Sequence, residues 1–145
     1  VGEGTIPTGE ICPVDGTPFD FREPRRVGEG IDEDDDQLRL AGGYDHCWFI
    51  DGPPGTLRPT ARVSTEARWM TVETTQPGVQ FYSGNGIRPR VARSGRSLGP
   101  HDALCLETQH FPDAPNHPRF PPIRLDPGVE YRERTVYRFG GAGVT

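Results

Sequence analysis

The sequence predicts an all-β fold of short antiparallel strands, part of a β-sandwich, on three observations. Apolar residues come in short runs rich in aromatic and β-branched side chains, Gly/Pro turn chemistry separates those runs, and no segment carries a sustained helical period. Gly and Pro supply 19 and 16 of the 145 residues. That share approaches the level of low-complexity chains, but ordered apolar runs between the turns argue for a loop-rich β protein rather than a disordered one. The length fits about one domain, so residues 1–145 are read as one partial domain.

Six strands are expected, in order. The stretch from Gly2 to Asp36 precedes them; rich in Gly and Pro and ending in the acidic run Asp32-Glu33-Asp34-Asp35-Asp36, it reads as a long surface connection with Phe19 to Phe21 as an anchor at best. The run lacks the glycine and the terminal Glu of a calcium loop. Strands follow at Tyr44 to Ile50, Ala61 to Ser64, Trp69 to Thr75, Gly78 to Ser83, Ala103 to His110 and Tyr131 to Phe139. Gly52-Pro53-Pro54-Gly55, Gln76-Pro77-Gly78, Ser94-Gly95-Arg96 and Asp126-Pro127-Gly128 are the turns between them.

Composition excludes several classes of function. The net charge is -5, and without a polybasic block there is no concentrated positive face for nucleic acid; Arg88, Arg90, Arg93 and Arg96 come nearest. No apolar stretch reaches the roughly 18 residues of a spanning helix, and no signal peptide is read, so no membrane partner is expected. Cys12, Cys47 and Cys105 are an odd set without a C-x-x-C spacing, which suggests free thiols and a cytoplasmic setting rather than disulfides or a zinc ribbon. P-loop, dinucleotide and G-x-S-x-G motifs are absent. The chain opens at Val1 within a polar connection, which reads as a piece of something longer.

Three expected strands carry a polar residue where a buried strand is apolar. Asp45 shares a face with Cys47 and Phe49, Gln80 with Gly78 and Tyr82, and Glu107 with Ala103, Cys105 and Gln109, opposite Leu104 and Leu106. One such residue is ordinarily a solvated rim position, whereas three together suggest a polar cleft over a sheet, because a buried carboxylate needs hydrogen bonds or a chemical role. With Tyr44, Trp48, Phe49, Trp69, Phe81, Tyr82 and Phe111 nearby in sequence, such a cleft suits a carbohydrate, whose C–H faces meet aromatic rings while its hydroxyls need donors and acceptors. His110, Asp113 and His117 could form a metal site, but the proline-rich segment between the two histidines favours hydrogen bonds that structure a loop, and no metal is assigned. His46 and His101 have no catalytic partner in the sequence.

These segments resemble the aldose 1-epimerases, or galactose mutarotases. The resemblance rests on Thr8-Gly9-Glu10 with Val14-Asp15-Gly16-Thr17-Pro18-Phe19-Asp20-Phe21, on Gly43-Tyr44-Asp45-His46, and on Thr74 through Asn85. It rests above all on Cys105-Leu106-Glu107-Thr108-Gln109-His110-Phe111-Pro112-Asp113-Ala114-Pro115-Asn116-His117-Pro118, followed by Leu125, Pro127-Gly128 and Tyr131. It implies the C-terminal portion of a galactose mutarotase-like β-sandwich roughly twice this length. It also implies an enzyme that interconverts the α and β anomers of free aldoses such as galactose or glucose. By the same resemblance Glu107 is the catalytic base, while Asp45 and Gln80 bind substrate. No cofactor is implied, and the general-acid histidine lies in the N-terminal half outside this chain, so the chain alone is expected to be inactive. Cys47 departs from the usual asparagine after the Asp-His pair. The alternatives are a catalytically silent carbohydrate-binding or structural sandwich, or a sugar-phosphate epimerase relative, which would need a basic pocket.

Overall fold

A computed structural model describes residues 1–141. Eight strands, two short helices and two 3-10 turns alternate with long irregular segments. The strands are β1 (Asp45–Phe49), β2 (Arg58–Ser64), β3 (Arg68–Thr74), β4 (Gly78–Tyr82), β5 (Arg90–Val91), β6 (Ser97–Leu98), β7 (Cys105–Gln109) and β8 (Thr135–Gly141). They form three sheets, ordered β1-β4-β7, β2-β3-β8 and β5-β6. The pairs β2/β3, β3/β8 and β5/β6 are antiparallel. The all-β class expected from the alternating runs is the one observed.

The chain divides into two compact units, the first comprising Val1–His46 with Gln80–Leu106 and the second Cys47–Val79 with the chain from Glu107 onward. In the first unit the core is aromatic. Tyr44 is fully buried, stacks on Phe81 at 5.2 Å, receives the edges of Phe19 and Phe21, and donates its hydroxyl to the Pro18 carbonyl at 3.0 Å. The anchor expected at Phe19 to Phe21 is thus part of this unit's core, and what reads as surface connection is held by it.

The acidic run differs from its reading as loop. Asp35 accepts from the amides of Gln37 and Leu38 and caps helix α2 (Asp36–Ala41), which follows the single-turn helix α1 (Val27–Gly30). Arg39 pairs with Asp34 and Asp36, and Gly42 closes α2 in the left-handed conformation. Six residues with one buried apolar side chain, Leu38, give no detectable helical period, so the cap and not the pattern marks this helix. Gly43, at φ +132°, is required next: a Cβ there would lie 2.6 Å from Asn85 Oδ1 and 2.8 Å from Ser83 Oγ. Buried Ser83 accepts from the Tyr44 amide at 2.9 Å and donates to Asn85, which makes the Ser83-Gly84-Asn85 turn a bracket for the start of β1. The Arg-rich loop folds as the β5/β6 hairpin, closed from Ala92 N to Arg96 O at 2.7 Å.

In the second unit, β3 is the central strand of its sheet and carries the fully buried Val72 and Thr74. Thr74 meets Thr135 across the sheet at 2.9 Å, and Thr135 meets Thr108 at 2.7 Å. Strand β8 starts at Thr135, four residues later than the expected Tyr131, because Arg134 O and Glu133 are engaged with Thr75 at the end of β3. Arg58 is 8% exposed and donates to the carbonyls of Asp51, Thr56, Ile50 and Gln76. It satisfies turn carbonyls that burial would otherwise leave unpaired. At Gly78 a Cβ would fall 2.9 Å from Cys47 Sγ and 3.1 Å from the Phe111 ring, so only glycine lets β4 pass there.

Candidate functional site

Asp45 opens β1 where Gly43 and Ser83 fix the backbone, and Gln80 lies at the middle of β4. The structure brings these two side chains together: Gln80 Nε2 donates to Asp45 Oδ1 at 2.8 Å, and both residues are half-buried. The bond uses the amide's donor end. It leaves the buried Gln80 Oε1 without a partner among the described residues, beside a carboxylate with a second acceptor oxygen. Such a pair presents acceptors of fixed direction, which match hydroxyl donors.

His46 supports the first of the two. Its Nδ1 accepts from the Asp45 amide at 3.1 Å, and its ring meets Phe19 at 4.8 Å in an edge contact. Burial pushes its pKa down to about 4, so the imidazole is neutral near pH 7, with its proton on Nε2. The sequence offered no partner for His46 because an i,i+1 side-chain-to-backbone contact has no spacing signature.

Glu107 belongs to the second unit, and the structure does not tie it to Asp45 or Gln80. It is exposed and makes no hydrogen bond or ion pair among the described residues. Glu107 is therefore not the buried carboxylate of a polar cleft, and Cys105 on the same face is exposed as well, because the alternation of β7 turns Leu104, Leu106 and Thr108 inward and Ala103, Cys105 and Glu107 to solvent. Cys47 is the sheltered thiol: burial pushes its pKa up to about 11, against an opposing hydrogen bond with Gln109. All three cysteines are free, and Cys12 is exposed.

The histidine-rich loop is held by its own side chains. His117 Nε2 lies 3.2 Å from Asp113 Oδ2, and Asn116 donates to the other Asp113 oxygen. His110 is not part of that pair. His101 sits at φ +65° with Nδ1 at 3.0 Å from Ser83 O. Among the described residues no cluster of three His, Cys, Asp or Glu is arranged to hold a metal ion, and no helix is long and apolar enough to cross a membrane. Arg88, Arg90 and Arg93 are exposed, while Arg96 pairs with Asp102 at 2.8 Å.

The comparisons with known proteins bear on the Gln80–Asp45 pair of fixed acceptors. The family model described as aldose 1-epimerase matches residues 1–138, and the chain belongs to that family. It is 42% identical over 145 residues to the galactose mutarotase of Homo sapiens, covering 98% of this chain and 41% of that protein. It is 37% identical over 143 residues to the aldose 1-epimerase of Escherichia coli strain K12, covering 96% and 41%. The crystal structure of the GalM/aldose epimerase homologue from C. elegans superposes with a TM-score of 0.79 at 27% identity, covering 95% of this chain and 41% of that one. The fold is therefore the C-terminal portion of a galactose mutarotase-like fold, as expected from the sequence. The chain spans 41% of the length of these relatives.

Proposed function

We propose that this chain is the portion of an aldose 1-epimerase that supplies the catalytic base and two substrate-binding groups. The observation that carries this reading is the Gln80–Asp45 pair at 2.8 Å, in a chain of the aldose 1-epimerase family. Asp45 Oδ2 and Gln80 Oε1 accept from hydroxyls of a free aldose such as galactose or glucose and hold the ring.

Exchange of anomers is then proton transfer alone. The Glu107 carboxylate takes the proton of the C1 hydroxyl, the electron pair forms the C1 carbonyl, and the C1–ring-oxygen bond breaks as an acid protonates the ring oxygen. Rotation about C1–C2 and reversal of both transfers closes the other anomer. Each positioned proton-transfer group contributes about 10²–10⁴-fold. Among the described residues Glu107 has no partner to release before it acts, which suits a base. The acid is assigned to the part of the family's length that this chain does not span, so the chain alone is expected not to turn over aldoses. Polarimetry of α-galactose solutions tests the reading: the longer parent should accelerate mutarotation and the isolated chain should not. A parent that binds galactose without accelerating mutarotation would instead indicate a silent sugar-binding sandwich.

A further inference from the structure

The second unit contains a recess that the proposed activity does not use. It has a volume of about 790 Å³ and is bounded by the end of β7 and the irregular chain from His110 to Glu133; Glu107 is not among its walls. Gln76 lines it at 7% exposure. The Gln76 amide donates to the Tyr131 hydroxyl at 2.8 Å, while its Oε1 is buried with no partner among the described residues. His110 lines the same recess, and its Nδ1 is likewise buried and unpartnered among those residues. Buried polar atoms are nearly always paired in folded proteins, so two on one recess mark a place where a partner belongs.

We propose that this recess is a second binding site, specific for a neutral polyhydroxylated ligand such as a glycoside. A carbonyl oxygen accepts only, so the group that meets Gln76 must donate; carboxylates and phosphates are excluded, whereas a hydroxyl can donate to Gln76 and either donate to or accept from His110. Phe111, Leu125 and Val129 add apolar wall, which fits the C–H face of a sugar ring. Of the charged side chains that line it, Asp113 pairs with His117 and Arg124 with Asp126, Glu133 accepts from the Thr75 hydroxyl, and Glu130 and Arg132 add one charge of each sign, so the lining carries no concentrated charge of one sign. The volume lies within the range of about 300–1,000 Å³ usual for small-molecule pockets. This site is separate from the Asp45–Gln80 pair and does not depend on the activity assigned to it.

Glutamine side-chain amides read the two sites apart, because Gln76 belongs to one and Gln80 to the other. Methyl β-galactopyranoside, which cannot mutarotate, is titrated into the protein carrying this chain with ¹⁵N-labelled glutamine, the signals being assigned with Gln76→Met and Gln80→Met. The Gln76 amide should shift with its own saturation curve, persist in Asp45→Ala, and require at least about tenfold more glycoside in His110→Phe. A Gln76 signal that stays still to saturating glycoside while Gln80 moves overturns the second site and leaves the first intact. A Gln76 shift that follows Gln80 and disappears with Asp45→Ala also overturns it, since one binding event would then account for both. The wild-type titration decides the matter even where a variant fails to fold.

Discussion

Asp45 sits half-buried at the start of β1 with the Gln80 amide on it at 2.8 Å and His46 on its backbone at 3.1 Å, whereas Glu107 stands exposed in β7 with no partner among the described residues. Both are strand carboxylates that break an apolar pattern, and the sequence treats them alike. Their surroundings do not. A carboxylate that must hold a ligand hydroxyl in one direction gains from being fixed, since lost side-chain freedom is then spent before binding. A carboxylate that must accept a proton gains from having no competing donor. The difference accords with binding for Asp45 and proton transfer for Glu107.

The largest effect follows from removing the support under Asp45. Tyr44→Ala, which empties the fully buried aromatic position beside it, should cost about 3–5 kcal/mol, as for other buried aromatic truncations; chemical denaturation measures this, and a loss below 1 kcal/mol would mean that the first unit does not depend on that stack. Less severe is Gln80→Leu, which removes the amide from Asp45. In the longer protein carrying this chain it should raise KM about tenfold with kcat within a few-fold of wild type, worth about 1.4 kcal/mol of binding. A pure kcat effect would move Gln80 from binding into the chemistry.

His46 sharpens the same comparison through pH. Its folded pKa, about 4 because of burial, lies below the ordinary value near 6.5, so the unfolded chain binds more protons between those limits. Its stabilising contribution is complete above about pH 6.5 and is lost as pH falls towards 4. Because the ring is partly exposed, the discounted loss is on the order of 1–2 kcal/mol. His46→Phe should flatten stability across that window, and an unchanged slope would show that the carboxylates alone set it. The smallest effect is chemical and leaves the fold intact. At pH 8 Cys12 and Cys105 should react quickly with a thiol reagent and Cys47 at least about 100-fold more slowly, since a thiol with pKa about 11 is only about a thousandth thiolate there. Denaturant should expose all three, and a count of one in denaturant would contradict free thiols.

Where the sequence was legible, its signals were local. Alternating runs located β1, β3 and β4 to within a residue or two, and a polar residue inside an apolar run singled out Asp45, Gln80 and Glu107. Burial on β7 is not legible because Cys105 and Leu106 are both apolar by type; which of them turns inward depends on what covers each face. Helix α2 escaped because a single capped turn with one buried leucine has no period to read. The Arg58 staple and the Gln76–His110 recess escaped for another reason: their partners are backbone carbonyls and irregular segments far apart in the chain. No spacing rule connects Gln76 to Tyr131.

The most direct test is steady-state mutarotation by the longer protein carrying this chain with Glu107→Gln, a change that preserves shape and hydrogen-bonding reach but removes the proton acceptor. If Glu107 is the base, kcat falls at least about 10²-fold, with KM little changed and the far-ultraviolet circular dichroism of the wild type. A folded Glu107→Gln protein with near-normal kcat would contradict that assignment, because the base would then have to be another residue.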